Sequence, residues 1–180
     1  MIRWQLVLAA SAAALLTACA SGPQAPSMPG DFAADGRLSA RGDVADRVIN
    51  ESANFRWRRT GERIDVELGS PLGDTQARLA VVAGQATLTL ADGRSATAPD
   101  ADALLTELTG LALPVSRLRW WLEGVPSPDM TVDELEADGA SRRFAQDGWE
   151  VALYNAEPYP KRLTLKRDRF EVRIAVSSWQ

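Results

Sequence analysis

Few residues in this sequence could do chemistry. Cys19 is the only thiol and histidine is absent from all 180 residues, which excludes histidine triads, imidazole acid-base catalysis and the usual zinc ligand sets. Asp133 and Glu136 are spaced as a carboxylate pair that could serve an acid-base hydrolysis. They lie in a charged stretch, and such pairs are ordinarily solvated surface. No glycine-rich loop ends in Lys-Ser or Lys-Thr, so there is no nucleotide site to drive work. One cysteine cannot form an intramolecular disulfide, and the fold must rest on apolar burial. The net charge of -4 and the absence of a long basic run argue against nucleic acid as a partner. No metal, no cofactor and no enzymatic activity are expected.

What stands before Cys19 gives the thiol its context. Arg3 supplies a positive start, and Leu6 to Leu16 is an uncharged apolar run of secretory-signal length. The run is shorter than the ~20 apolar residues that span a bilayer. Leu16-Thr17-Ala18-Cys19 resembles the lipobox of bacterial lipoproteins, in which the thiol is acylated and becomes the new N-terminus. The alternative is an ordinary signal peptide with a chance cysteine behind it. Ala20, where aspartate would favour inner-membrane retention, resembles an outer-membrane address. Residues 1–18 are therefore expected to be a lipoprotein signal and 19–31 an acylated N-terminus and flexible tether, rich in Pro, Ser, Gly and Ala. Residues 32–180 are expected to form a single β domain.

The elements follow from periodicity. From Leu38 the apolar period is two: Ala53, Phe55 and Trp57 alternate with polar residues, as do Ile64, Val66 and Leu68, then Ala77, Leu79 and Val81, then Ala86, Leu88 and Leu90. Turns are expected at Thr60-Gly61-Glu62, at Gly84 and at Asp92-Gly93. Asp100 can cap a helix that Gly110 ends, and a second helix starts near Pro114 with Leu118, Trp121 and Leu122 on one face. Residues 130–137 are ambiguous between helix and strand. Strands return at 142–146, 149–154, 163–166 and from Phe170 to Val176.

A sheet of about ten or eleven antiparallel strands with only two short helices leaves an apolar face to cover. The sheet curls either around its own side chains or around a hollow, and periodicity does not separate the two. On the residues alone the filled interior is slightly favoured. Leu72, at the tip of Ser70-Pro71-Leu72-Gly73-Asp74, is expected to tuck back, because exposure forgoes ~1.5–3 kcal/mol of burial. Arg56, Arg58 and Arg59 read as a solvated strand face. Of the adjacent Trp120 and Trp121, one should face the sheet and the other lie at an edge.

Gly36-Arg37-Leu38-Ser39, Asn54-Phe55-Arg56-Trp57, Ser70-Pro71-Leu72-Gly73, Leu108-Thr109-Gly110 with Leu113-Pro114-Val115, Trp121-Leu122-Glu123-Gly124-Val125-Pro126 and Gln146-Asp147-Gly148-Trp149 together resemble the LolB family of outer-membrane lipoprotein receptors. The resemblance implies a mainly β fold, an incomplete antiparallel β-barrel with a small helical lid over an apolar cavity. It also implies a function: a monomeric receptor that takes lipoproteins by their acyl chains from the periplasmic chaperone LolA and places them among outer-membrane phospholipids without nucleotide hydrolysis. On this reading the cavity lining is drawn from Phe55, Trp57, Ile64, Val66, Leu68, Leu79, Leu88, Leu90, Leu105, Leu118, Trp121 and Leu122. Pro71, Leu72 and Gly73 form a protruding membrane-contact loop. Family members usually carry a further helix ahead of the first strand. Here 16 residues separate Cys19 from Gly36, so that helix is expected to be missing or reduced. The competing reading is an anchored β domain with a filled interior that bridges the membrane to a partner complex.

Overall fold

The computed structural model describes residues 30–44, 47–110 and 112–180; the expected signal segment, Cys19 and most of the tether lie outside them. Eleven strands run β1 (Phe32–Val44), β2 (Arg47–Thr60), β3 (Arg63–Gly69), β4 (Thr75–Val82), β5 (Gln85–Leu90), β6 (Ser95–Ala98), β7 (Asp133–Asp138), β8 (Ser141–Gln146), β9 (Trp149–Tyr154), β10 (Arg162–Arg167) and β11 (Phe170–Trp179). They form one curved antiparallel sheet in the order β6-β5-β4-β3-β2-β1-β11-β10-β9-β8-β7. The first and last strands, β1 and β11, pair at its centre, where Ala33 and Gln180 exchange backbone hydrogen bonds of 2.7 and 2.9 Å. β6 and β7 are the unpaired edges among the described residues, so the barrel is incomplete. The chain between those edges carries α1 (Ala101–Thr109) and α2 (Val115–Trp121).

Local chemistry accounts for these elements. Asp100 caps α1 by accepting from the N–H groups of Asp102 and Ala103, and Gly110 ends it in the left-handed conformation at φ 73°. Pro114 immediately precedes α2, where its missing N–H costs nothing. The 83–84 and 147–148 hairpins turn on paired positive φ angles, 50° and 76° at Ala83 and Gly84, 54° and 73° at Asp147 and Gly148, which match strand twist. At Gly36 a Cβ would lie 2.1 Å from the Ala175 carbonyl oxygen and 2.8 Å from the Phe55 ring. The bulge between Asp35 and Gly36 thus lets Phe55 pack over bare backbone.

Both edges have the features that discourage further pairing. β6 is four residues long, and β7, Asp133-Glu134-Leu135-Glu136-Ala137-Asp138, is exposed throughout and mostly acidic. β7 buries nothing and β6 only half-buries Ala96 and Ala98, so the run of large apolar residues that betrays the other strands is missing from both. Asp133 and Glu136 are both exposed there, and Glu136 pairs with Arg143 at 3.3 Å, a surface ion pair.

One expectation about charge is corrected. Arg56 and Arg58 are on the outer face, but Arg59 is 1% exposed. It shares the parity of Phe55 and Trp57 and so points inward. Its Nε donates to the Glu123 carboxylate at 2.9 Å and its Nη1 to the Gly30 carbonyl at 2.7 Å. A charge there is tolerated because it is paired on arrival.

Candidate functional site

The antiparallel register stacks inward-facing side chains in rows across β2 to β5. One row runs Trp57, Val66, Leu79, Leu88, and the next Phe55, Leu68, Ala77, Leu90. Leu105 of α1 and Leu118 and Leu122 from α2 and its C-terminal end complete a wall of carbon around a small apolar cavity of about 40 Å³. That is room for about three waters. Phe55, Trp57, Val66, Leu68, Leu79, Leu88, Leu105, Leu118 and Leu122 of the candidate lining sit together around it.

Three expected lining residues do not. Ile64 occupies the next row out, opposite Arg59 and Val81, and is buried beside a separate cleft. Leu90 packs on the core at the end of its row without reaching the cavity. Trp121 is fully buried but over the other half of the sheet, edge-on to Phe144 with ring centroids 6.4 Å apart. In that half Phe144, Val151, Leu153, Leu165 and Val172 are completely buried. Leu38, Ala77, Leu113, Val115 and Ile174 also line the cavity and were absent from the sequence list. Leu38 and Ile174 stand opposite each other on β1 and β11, and their alternation with polar neighbours was the available signal.

The helical cover is fastened at identifiable points. Arg59 with Glu123 ties β2 to the turn after α2, and Arg119 of α2 reaches Glu62 of the β2–β3 turn at 3.3 Å. Between α2 and that turn lies an open cleft of about 640 Å³ whose walls include Ile64, Val81, Arg119 and Trp120. Val115 lines both the cleft and the small cavity, so it is the partition between them. Trp120 is the half-buried edge tryptophan, with the Arg119 guanidinium 5.1 Å over its ring.

Gln146 secures the other side of α2. Its Oε1 accepts from the Trp121 indole N–H at 3.0 Å and the Ser127 N–H at 2.8 Å, and its Nε2 donates to the carbonyls of Ser127 at 2.7 Å and Met130 at 3.3 Å. Nearby, burial raises the Asp129 carboxyl, but bonds from the Ser127 hydroxyl and the Arg117 guanidinium outweigh it and hold the group below its ordinary range. Gln146→Leu would strand the buried partners at ~1–3 kcal/mol each. A melting temperature lower by roughly 10 °C is expected, and an unchanged melt would show that the network contributes nothing.

The Pro71-Leu72-Gly73 loop is a built turn. Ser70 N–H donates to the Asp74 carbonyl at 2.8 Å, Gly73 N–H to the Ser70 carbonyl at 2.9 Å, and Leu72 N–H to the Ser70 hydroxyl at 3.2 Å. Leu72 itself is 92% exposed. The expectation from burial alone, that it tucks back, is overturned, because the turn's own hydrogen bonds hold the backbone with the side chain outside.

The family model of the outer membrane lipoprotein LolB matches residues 30–179. The chain belongs to the LolB family. Among curated relatives, the outer-membrane lipoprotein LolB of Bordetella petrii is 40% identical over 94% of this chain and 90% of its own length. Those of Alkalilimnicola ehrlichii and Chromobacterium violaceum are 35% and 36% identical, covering 99% and 100% of this chain and 98% and 100% of theirs. The family handles lipoproteins in trafficking to the outer membrane, which fits a sheet with an apolar interior and no assembled catalytic groups among the described residues.

Proposed function

We propose that this protein is the outer-membrane-anchored receptor that accepts acylated lipoproteins from LolA, shelters their acyl chains under α1 and α2, and releases them into phospholipid. The observation that carries the reading is the small, all-carbon cavity beneath a helical cover held by a few polar fastenings. Transfer of acyl chains through water is opposed by ~0.8 kcal/mol per CH₂, so a container is needed. At about 40 Å³ the container is too small for an acyl chain. Acceptance therefore requires α2 to lift from the rows of Trp57 and Phe55, with Val115 the partition that moves. An acyl chain entering from the cleft replaces the contacts that lifting loses, so cargo selects the open state without nucleotide.

The test is transfer of an acylated lipoprotein from loaded LolA to the receptor, followed by transfer from receptor to liposomes. Stoichiometric acceptance without ATP is expected; cargo that stays on LolA would sink the proposal. The nearly full interior favours one competing reading, a packed anchored β domain. Uptake of an apolar dye that cargo displaces separates them, since a packed domain takes up none.

The family is one of outer membrane lipoproteins, and Cys19 is the residue proposed to carry the lipid. Mass spectrometry of the protein from its native host is expected to find an acylated Cys19 at the N-terminus. An unmodified thiol there would rule the anchor out.

A further inference from the structure

On the outer face, the register of β1, β11 and β10 places side chains in a grid. Arg37 and Arg162 flank Ala175, Ser39 and Thr164 flank Arg173, and Arg41 and Lys166 flank Glu171. The small residues make a floor and the long ones walls, leaving an open hollow of about 530 Å³. Its one carboxylate, Glu171, is already engaged by Arg173 at 2.5 Å and Lys166 at 3.6 Å. Arg37 and Arg162 have no carboxylate partner among the described residues. Arg162 stacks over the Tyr154 ring at 5.6 Å, and Arg37 makes one long bond, 3.4 Å, to Asn54 Oδ1. Arg37 and Arg162 thus rise on either side of one strand, with backbones about 10 Å apart, beside two hydroxyls; Arg37 leans toward Asn54 on β2 and Arg162 toward Tyr154 on β9, and both long side chains swing inward to meet a ligand in the hollow. That is the donor set and the charge for one phosphate group.

The hollow is coupled to the exposed tip. Asn54, which accepts from Arg37, donates through Nδ2 to the Ser70 carbonyl at 3.1 Å, and the Ser70 hydroxyl accepts the Leu72 N–H. A cationic hollow two strands from a projecting leucine is the arrangement that suits a lipid surface, hydrocarbon for the leucine and head group for the arginines. We propose that Arg37 and Arg162, with Ser39 and Thr164, form a binding site for the phosphate of an anionic phospholipid head group. The site holds the receptor in register on the leaflet while Leu72 enters it. This inference rests on the reading that the Leu72 tip meets the bilayer.

The test uses the acylated protein in non-ionic detergent micelles, titrated with dihexanoyl phosphatidylglycerol, dihexanoyl phosphatidylcholine or inorganic phosphate while the arginine Nε–H resonances are followed by NMR. Saturable shifts at Arg37 and Arg162 are expected with phosphatidylglycerol. Binding should weaken by about tenfold or more in the Arg37→Gln/Arg162→Gln variant and by less than about twofold in Arg78→Gln, whose arginine lies outside the hollow and pairs with Glu67. No saturable shift, equal affinity for phosphatidylcholine, or equal affinity for inorganic phosphate would each overturn the site. Delivery of cargo to phosphatidylcholine vesicles checks the underlying reading separately. Normal delivery with no head-group binding removes the site alone, whereas head-group binding with delivery indifferent to Leu72→Glu keeps the site and removes the role of the tip.

Discussion

Trp57→Glu is expected to abolish acceptance of acylated cargo, while Arg58→Glu, one residue along the same strand, leaves most of it. Trp57 is 2% exposed and lies in the row that continues through Val66, Leu79 and Leu88 across the cavity wall. A carboxylate there must either stay ionised in a carbon-lined space or draw in water, and both outcomes remove the apolar surface that acyl chains need. Arg58 is half-exposed and forks onto Asp35, with both bonds 3.2 Å, so its loss costs ~0–1 kcal/mol plus the repulsion of like charges at the surface. Trp57→Glu should also destabilise the fold by roughly 3–5 kcal/mol, since it leaves a void and an unpaired charge together. The measurement is therefore cargo transfer from LolA per folded molecule, with melting curves alongside. Val66→Thr guards against a variant that merely fails to fold. It keeps the shape of the wall next to Trp57, costs about 1–2 kcal/mol and should still lower acceptance several-fold. Equal losses in Trp57→Glu and Arg58→Glu, or full acceptance by Val66→Thr, would place the acyl chains elsewhere.

Much of this wall could be read from the sequence because antiparallel pairing turns an alternation along the chain into a row across the sheet. Phe55, Leu68 and Ala77 need only their parity and hairpin turns to be brought together. Parity carries no information about position along a row or about which half of the interior is full. That is why Ile64, Leu90 and Trp121 share the apolar face yet miss the cavity. Arg59 was misread for a related reason. Its charge suggested solvent, but its parity with Phe55 and Trp57 pointed inward, and the partner that makes this possible, Glu123, is 64 residues away in the chain. β6 and β7 were hard to see because edge strands are selected against the very pattern that reveals strands. The small volume of the cavity depends on how tightly α1 and α2 seat, a matter of packing volumes that no periodicity encodes.

Leu72→Glu is expected to leave acceptance from LolA intact and to stop delivery into bilayers. The side chain is 92% exposed and none of the turn's hydrogen bonds uses it, since all run between backbone groups of Ser70, Leu72, Gly73 and Asp74 and the Ser70 hydroxyl. The substitution should therefore change the melting temperature by no more than about 2 °C, the scale of an exposed surface replacement. Leu72 is also absent from the cavity wall, so loading has no reason to fail. Delivery differs, because the tip must shed water to enter the acyl region. A leucine gains ~1.5–3 kcal/mol there, whereas a carboxylate is penalised by about the same or more. The difference of several kcal/mol lowers the population of receptor seated in the leaflet by roughly a thousandfold. Cargo should then stay on the receptor and back up onto LolA. Leu72→Met, apolar and similar in bulk, should restore most of the rate, as the argument depends on hydrophobicity and not on leucine itself. The paired measurement is solution transfer from LolA and then transfer to liposomes, each with a melting curve. Normal delivery by Leu72→Glu, or joint loss of both steps with a large fall in melting temperature, would return Leu72 to a structural role.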